Sequence, residues 1–427
     1  MVTRSVTHQQ SLKALDWLNV FLADIQGGVG PFLVVYLTSS LQWNPAQVGL
    51  VMTISGLTGV IAQTPIGALV DRLRQKRSLI TIAAVLIAIS SIATVTIPSL
   101  PVITISQSFS AIAGAFFGPT IAAISLGLVG RGGIEYRLGR NQTLSSSGNV
   151  IAAIVAGLIG HFVNQAGIFY FIALMSVAVI FCAFKIRKQD INYRLARGGD
   201  DPESQERSED RKEKVNVSKF TTLLSDRRLL IFAICAVLFH FANAAMLPLV
   251  GEVLSHQKGG SPPLFMSACI VTAQLVMIPL GILVGRRASK DKRKPIFLLA
   301  FLVLPIRGVL YTFSDNPFFL VSVQLLDGVG AGIFGVMQLL VIADLTKGTG
   351  HFNLAQGAIG TAVGIGASLS NSLAGFIAKS AGYNASFLSM AAIAAVALAF
   401  FWFFMPETKS TPYPVSSKSE LATFRDS

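Results

Sequence analysis

Residues 65–72 read PIGALVDR, and residues 279–286, displaced by 214 positions, read PLGILVGR. Nearly the same displacement recurs on either side of this pair. Gln26 to Pro31 (QGGVGP) matches Asn243 to Pro248 (NAAMLP), and Gly114 to Gly118 (GAFFG) matches Ala331 to Gly335 (AGIFG), both 217 apart. Ala156-Gly157 (AGLIG) matches Ala374-Gly375 (AGFIA), 218 apart. One such match is unremarkable among Gly- and Ala-rich segments. Four in order, at a nearly constant offset, mark an internal duplication with both copies running in the same direction.

The medium in which the two copies fold follows from composition. The 427 residues are 52% hydrophobic and 13% charged, with mean hydropathy +0.63. A soluble domain carries about 25% charged residues, so lipid is the solvent implied here. The apolar residues fall in runs near the roughly 20 residues a helix needs to cross a bilayer, where an open sheet edge has no water to satisfy it. We expect an all-α integral membrane protein with twelve spans, near 12–38, 46–70, 78–97, 101–128, 142–163, 168–186, 228–250, 263–286, 295–314, 318–344, 354–378 and 385–405. These form two parallel, pseudo-symmetric six-helix bundles.

Charge tests this count. Of the 34 Lys and Arg, 31 fall before the first span, in alternate loops, or in the tail. Only Lys258 and Lys379 lie in opposite-side loops, and Arg307 lies inside a span. The rule that cytoplasmic loops hold the bases makes both termini cytoplasmic. The expected division is a cytoplasmic N-terminus at 1–11, a first bundle at 12–186, a linker at 187–227, a second bundle at 228–405, and a cytoplasmic tail at 406–427. The net charge of +13 is explained by this distribution, and nucleic acid is not an expected partner. The linker core, GGDDPESQERSEDRKEK (198–214), has the composition of a solvated, flexible segment. Cys182, Cys235 and Cys269 all lie in apolar segments and read as core residues rather than disulfides or metal ligands. The polar first dozen residues lead into a full-length span, so no removable signal peptide is expected.

The end of the second span carries the most specific motif: Gly67, then Asp71 and Arg72, then Arg74, Lys76 and Arg77. This pattern of a glycine, an acid four residues on and a basic cluster resembles the signature loop of the major facilitator superfamily. The second copy keeps Gly281 and the bases but has Gly285 in place of the acid. Glu135, Arg137 and Arg140 resemble the family's acid–base cluster between the fourth and fifth spans, and Pro406-Glu-Thr-Lys409 resembles its exit motif. The resemblance covers about residues 12 to 410. It implies a cytoplasmic gate in which Gly67 lets two helices approach and Asp71 faces a helix N-terminus. In that gate Arg72, Lys76, Arg77, Glu135, Arg137 and Arg140 hold the helix ends together. It also implies that the first, fourth, seventh and tenth spans line a central cavity. Two departures weaken a drug–proton antiporter assignment: Gln107 stands where that subgroup has an arginine, and Gly157 is followed by Leu158 rather than proline.

Charge buried in a bilayer costs about 2.5–3.5 kcal/mol even on insertion scales, so ionisable residues within spans are functional candidates. Asp24 lies about twelve residues into the first span, roughly 18 Å at 1.5 Å per residue, near the midplane. Gln26 follows it in a Gly- and Pro-broken stretch. His240 and Asn243 share a face of the seventh span, and Gln324 and Asp327 share one on the tenth. The repeat offset maps Gln26 onto Asn243 and Gln107 onto Gln324. These seven residues are the candidate substrate- and proton-binding set; an acid shielded from water can change protonation as its site changes sides. Satisfied packing between helices is the plain alternative for each. Asn149 and Asn371 are expected to be packing residues. Arg307 is expected at the lipid interface because the ninth span is an outer helix in the family, and Asp344 is expected in the gate.

No nucleotide-binding loop and no metal-ligand spacing occurs in the sequence, so no cofactor or metal is expected, and no convergent nucleophile and base indicate an enzyme. The expectation is a monomeric, multi-pass protein of the cell (inner) membrane. It would move a small organic solute by alternating access, linked to protons, with export favoured over uptake because the implied cavity is nearly neutral. A receptor or scaffold without transport is the reading from another class.

Overall fold

The computed structural model describes residues 2–27, 29–73, 75–197, 226–257, 261–288, 292–346 and 352–408. The linker core at 198–214 and the tail from Lys409 therefore lie outside the described residues, as do the side chains of Gln26, Asp71 and Glu135. The helices are α1 (Val2–Gly27), α2 (Val29–Val35), α3 (Pro45–Arg72), α4 (Lys76–Thr96), α5 (Leu100–Phe162), α6 (Gln165–Lys185), α7 (Arg227–Ala244), α8 (Met246–Ser255), α9 (Pro262–Ala288), α10 (Arg293–Leu310), α11 (Pro317–Leu345), α12 (Phe352–Ala381) and α13 (Tyr383–Phe404).

Among the described residues, eleven spans are long and apolar enough to cross a membrane. The expected twelfth is α10. Its 18 residues carry three charges, Arg293, Lys294 and Arg307, yet it packs between α11 and α13 as a full member of the bundle. Two of the spans lie in α5, where the sequence suggested a loop between the fourth and fifth spans. The chain remains helical there and turns at Gly130, whose φ of 70° is a conformation that glycine adopts without steric cost.

The first helix of the second copy is interrupted between α7 and α8 at Ala245, and Pro248 sits in the short second piece. Each copy builds its own core. Leu15, Leu18, Phe32, Phe117 and Phe169 are among the fully buried side chains of the first. Phe232, Phe297, Phe301, Phe387 and Phe401 are among those of the second.

Two features differ from expectation. Helix α1 begins at Val2, about a full ten residues before the predicted start of the span. The expected solvated linker also begins as packed structure. Ile191, Leu195 and Ala196 are buried, and the Asn192 amide donates to the Gly127 carbonyl of α5 at 2.8 Å.

Candidate functional site

The copies meet at the end away from the basic loops. A Cβ added to Gly157 of α5 would lie 2.6 Å from Ser267 Cβ and 3.2 Å from the Pro263 carbonyl oxygen of α9. Its repeat partner Gly375 on α12 meets the Pro45 carbonyl oxygen of α3 and lies 3.4 Å, on the same measure, from Gly49 Cα. Gly157 and Gly375 are 218 residues apart, as are Pro45 and Pro263, so these are one contact made twice. Only a residue without a side chain lets the backbones come this close. Thr53 bonds the Ser368 carbonyl at 2.7 Å and the Ser372 hydroxyl at 2.8 Å, tying α3 to α12.

Toward the basic end the same two helices part. Gln63, Thr64 and Gly67 of α3 face Gln356, Gly360 and Thr361 of α12 across a cavity of about 810 Å³. Nothing lies within 4 Å of where a Gly67 Cβ would be, so the close approach expected at this glycine is not made in this conformation. Higher up, a cavity of about 430 Å³ lies between the copies. It is lined chiefly by small and apolar side chains from both, with Gln107 and Asn371 among its polar groups.

Asp24 is buried in α1, and its Oδ2 makes no hydrogen bond to the described residues. Gln107 donates to Thr94 Oγ1 of α4 at 3.0 Å and reaches the smaller cavity. In the second copy His240 donates from Nδ1 to the Ala236 carbonyl at 3.0 Å and stands edge-on to Phe334, with ring centroids 4.6 Å apart. Gln324 is buried, and neither amide atom finds a hydrogen-bond partner among the described residues.

Arg307 corrects the sequence reading. The expected interfacial residue is 2% exposed and sits inside the second bundle. Its guanidinium pairs with Asp327, donates to Asn243 Oδ1 at 2.8 Å, and lies 3.4 Å from Met246 Sδ. The helix break explains its position. Asn243 and Met246 flank Ala245, so the interruption between α7 and α8 presents polar atoms where α10 and α11 pass. Arg307 thus unites two of the seven candidates, Asn243 and Asp327, whereas Asp24 and Gln107 lie in the other bundle.

At the basic end Arg137 and Arg140 lie nearly one turn apart on α5, and each reaches Asp16 of α1 at 2.7 Å. Arg77 donates to the Ala183 and Phe184 carbonyls at 2.8 and 2.7 Å, closing the C-terminal turn of α6. Lys76 is buried and donates to the Val70 carbonyl. Arg72 is exposed. In the second copy Asp344 pairs with Arg293 at 3.0 Å, and Glu407 of the exit motif accepts from the Arg293 and Lys294 amides at 2.9 and 3.1 Å. That is a cap on the N-terminus of α10, where a carboxylate meets unpaired N–H groups and the positive end of the helix dipole.

Asp16, Arg293 and Glu252 were missed. Asp16 lies within a turn or so of the span's predicted start. Glu252 was hidden by a boundary: the seventh span was ended at 250, but α8 continues to Ser255 and buries this acid, whose Oε2 makes no hydrogen bond to the described residues. An acid four residues after Pro248 was the available signal.

This architecture has close relatives. The family model of the Major Facilitator Superfamily matches residues 17–313 and 232–425. The chain is 44% identical over 409 residues, 96% of each chain, to a Mycobacterium tuberculosis (strain ATCC 25618 / H37Rv) protein described as an uncharacterized MFS-type transporter. Among solved structures it resembles the nucleoside transporter NupG (TM-score 0.73, 16% identity, 93% of this chain and 98% of that one). It also resembles the peptide transporter POT in complex with sulfate (TM-score 0.74, 13% identity, 92% and 94%). At such identities these two structures speak for the fold alone. With two parallel copies closed on each other at one end and parted at the other, and with this match along its length, the chain belongs to the Major Facilitator Superfamily and is a multi-pass membrane transporter.

Proposed function

We propose that this transporter moves a small, nearly neutral organic solute by alternating access, coupled to protons and directed outward, with its basic end and both termini in the cytoplasm of a cell whose inner membrane it occupies as a monomer. The observation that carries the reading is the helix pair α3 and α12, in contact near Gly49 and Gly375 and separated by about 810 Å³ at Gly67 and Gly360. Such a pair is a lever: with the outer contact made, the cavity opens to the basic side, which is the inward-facing state. Rocking the bundles about the site between them would close Gly67 onto α12 and part Gly375 from α3. In that second state Gly67, Asp71, Arg72, Lys76, Arg77 and the Glu135–Arg137–Arg140 turn form the latch. The expected bundles at 12–186 and 228–405 are the moving bodies, and the segment 187–227 joins them.

The smaller cavity between the copies suits the solute. Its small apolar lining, with Gln107 and Asn371, offers hydrogen bonds without fixed charge. Asp24, Gln26, His240, Asn243, Gln324 and Asp327 are assigned to binding and coupling. Asp24 is the first choice for the proton because no cation engages it among the described residues, whereas Asp327 already holds Arg307.

The test is small-molecule profiling inside and outside cells expressing the wild type, Asp24→Asn or Asp327→Asn. A compound depleted from cells by the wild type and by neither variant is the expected result. Accumulation inside cells would reverse the direction. Equal shifts with all three proteins would remove both acids from coupling.

A further inference from the structure

On the outer surface of the first bundle, away from the cavities between the copies, α1 and α6 enclose a groove of about 780 Å³ at the basic end. Lys13, Trp17 and Phe21 recur every four residues and so form one stripe of α1. Phe181 and Lys185 form the facing stripe of α6, and Arg187 follows at its end. The floor is apolar, made by Ala14 and Cys182. Trp17 and Phe181 are each 59% exposed, although both are large apolar groups beside a continuous wall of helix. Trp17 stacks on Phe21 with centroids 5.8 Å apart, and Lys185 Nζ lies 4.7 Å from the Phe181 ring centre.

We propose that this groove binds an anionic glycerophospholipid, with its phosphate among Lys13, Lys185 and Arg187 and the start of an acyl chain along Trp17, Phe21 and Phe181. Lys13 and Phe21 are eight residues apart, about 12 Å along the helix, the depth from a headgroup into the hydrocarbon. Charge complementarity selects the occupant. Among the described residues, no acid lines the groove. Asp16, on the same helix, is held by Arg137 and Arg140, and Asp190 accepts the Ser11 hydroxyl at 2.6 Å. A zwitterionic headgroup would bring an ammonium with no carboxylate to receive it, while a net negative headgroup meets three bases without ion-pair partners among the described residues. The exposed rings account for the rest: tryptophan at the boundary between headgroups and hydrocarbon keeps its apolar body in lipid and its N–H in water. This inference stands whether or not the proposed substrate and coupling are right.

The test is native mass spectrometry of the purified full chain in neutral detergent, with phosphatidylglycerol or phosphatidylcholine of equal chain length. Wild type should retain phosphatidylglycerol about tenfold more tightly. The triple variant Lys13→Gln/Lys185→Gln/Arg187→Gln should lose that preference, and Trp17→Ala should weaken retention of both lipids. The pair Arg287→Gln/Lys292→Gln, exposed bases on the second bundle, should change nothing. The proposal is overturned if the triple variant keeps the preference, or if the control pair loses as much, which would mean diffuse attraction. It is equally overturned if inorganic phosphate at the same concentration displaces the lipid and Trp17→Ala has no effect, which would mean a free-anion site.

Discussion

Asp24 in the first bundle and Asp327 in the second are both acids set deep in a span, yet their surroundings differ. Asp327 faces the buried guanidinium of Arg307, which also holds Asn243 beside the helix break. Asp24 has a carboxylate oxygen with no hydrogen bond to the described residues, and the ion pairs of its own bundle lie near the basic end, at Asp16. A duplicated scaffold thus carries in one half a charge pair that braces three helices, and in the other a buried acid that no cation meets among the described residues. Burial alone does not tell these roles apart; the partner does.

The contrast makes four predictions about stability, each read as unfolding free energy of the purified protein in detergent. Asp327→Asn has the largest effect, a loss of about 3 kcal/mol, because it strands a buried guanidinium. A loss below about 1 kcal/mol would mean that Arg307 is already satisfied by Asn243 and Met246. Next, adding Arg307→Met to Asp327→Asn should recover most of that loss, since the charge needing a partner is gone. If the double variant is no more stable than the single, the pair is not a unit. Arg293→Ala should cost about 1 kcal/mol, because its pair with Asp344 is partly exposed and the Glu407 cap on the backbone amides survives. A cost equal to that of Asp327→Asn would make the basic end, not the midplane, the stabilising centre of the second bundle. Smallest of all, Asp24→Asn should change stability by less than about 0.5 kcal/mol while abolishing solute movement. Were it to destabilise as Asp327→Asn does, the two acids would be equivalent and the contrast would collapse.

The repeat also locates where the transporter can be locked. Gly157 and Gly375 occupy related positions and make related contacts, so a bulky residue at either should pry the copies apart at the end away from the basic loops. Gly67 has open space around it in this conformation and should tolerate a larger side chain until the basic end closes. The glycine expected from the sequence to be a close contact makes none in this conformation.

The sequence by itself determined the solvent, the number of spans, the duplication and the side carrying the bases. These are local or periodic properties: a long apolar run must be a helix in lipid, and four matches at one offset require two similar folds. What only the tertiary structure decided was pairing. Arg307 looked interfacial because span order places its helix on the outside, yet the long side chain reaches inward to the opening beside Ala245. Arg137 and Arg140 reach Asp16, more than a hundred residues earlier, because α1 passes that face of α5. Glu252 is not legible as a buried acid because the span expected to end at 250 continues to Ser255. A charge's role depends on what lies within a few ångströms of it, and that is set by the packing of helices far apart in the chain.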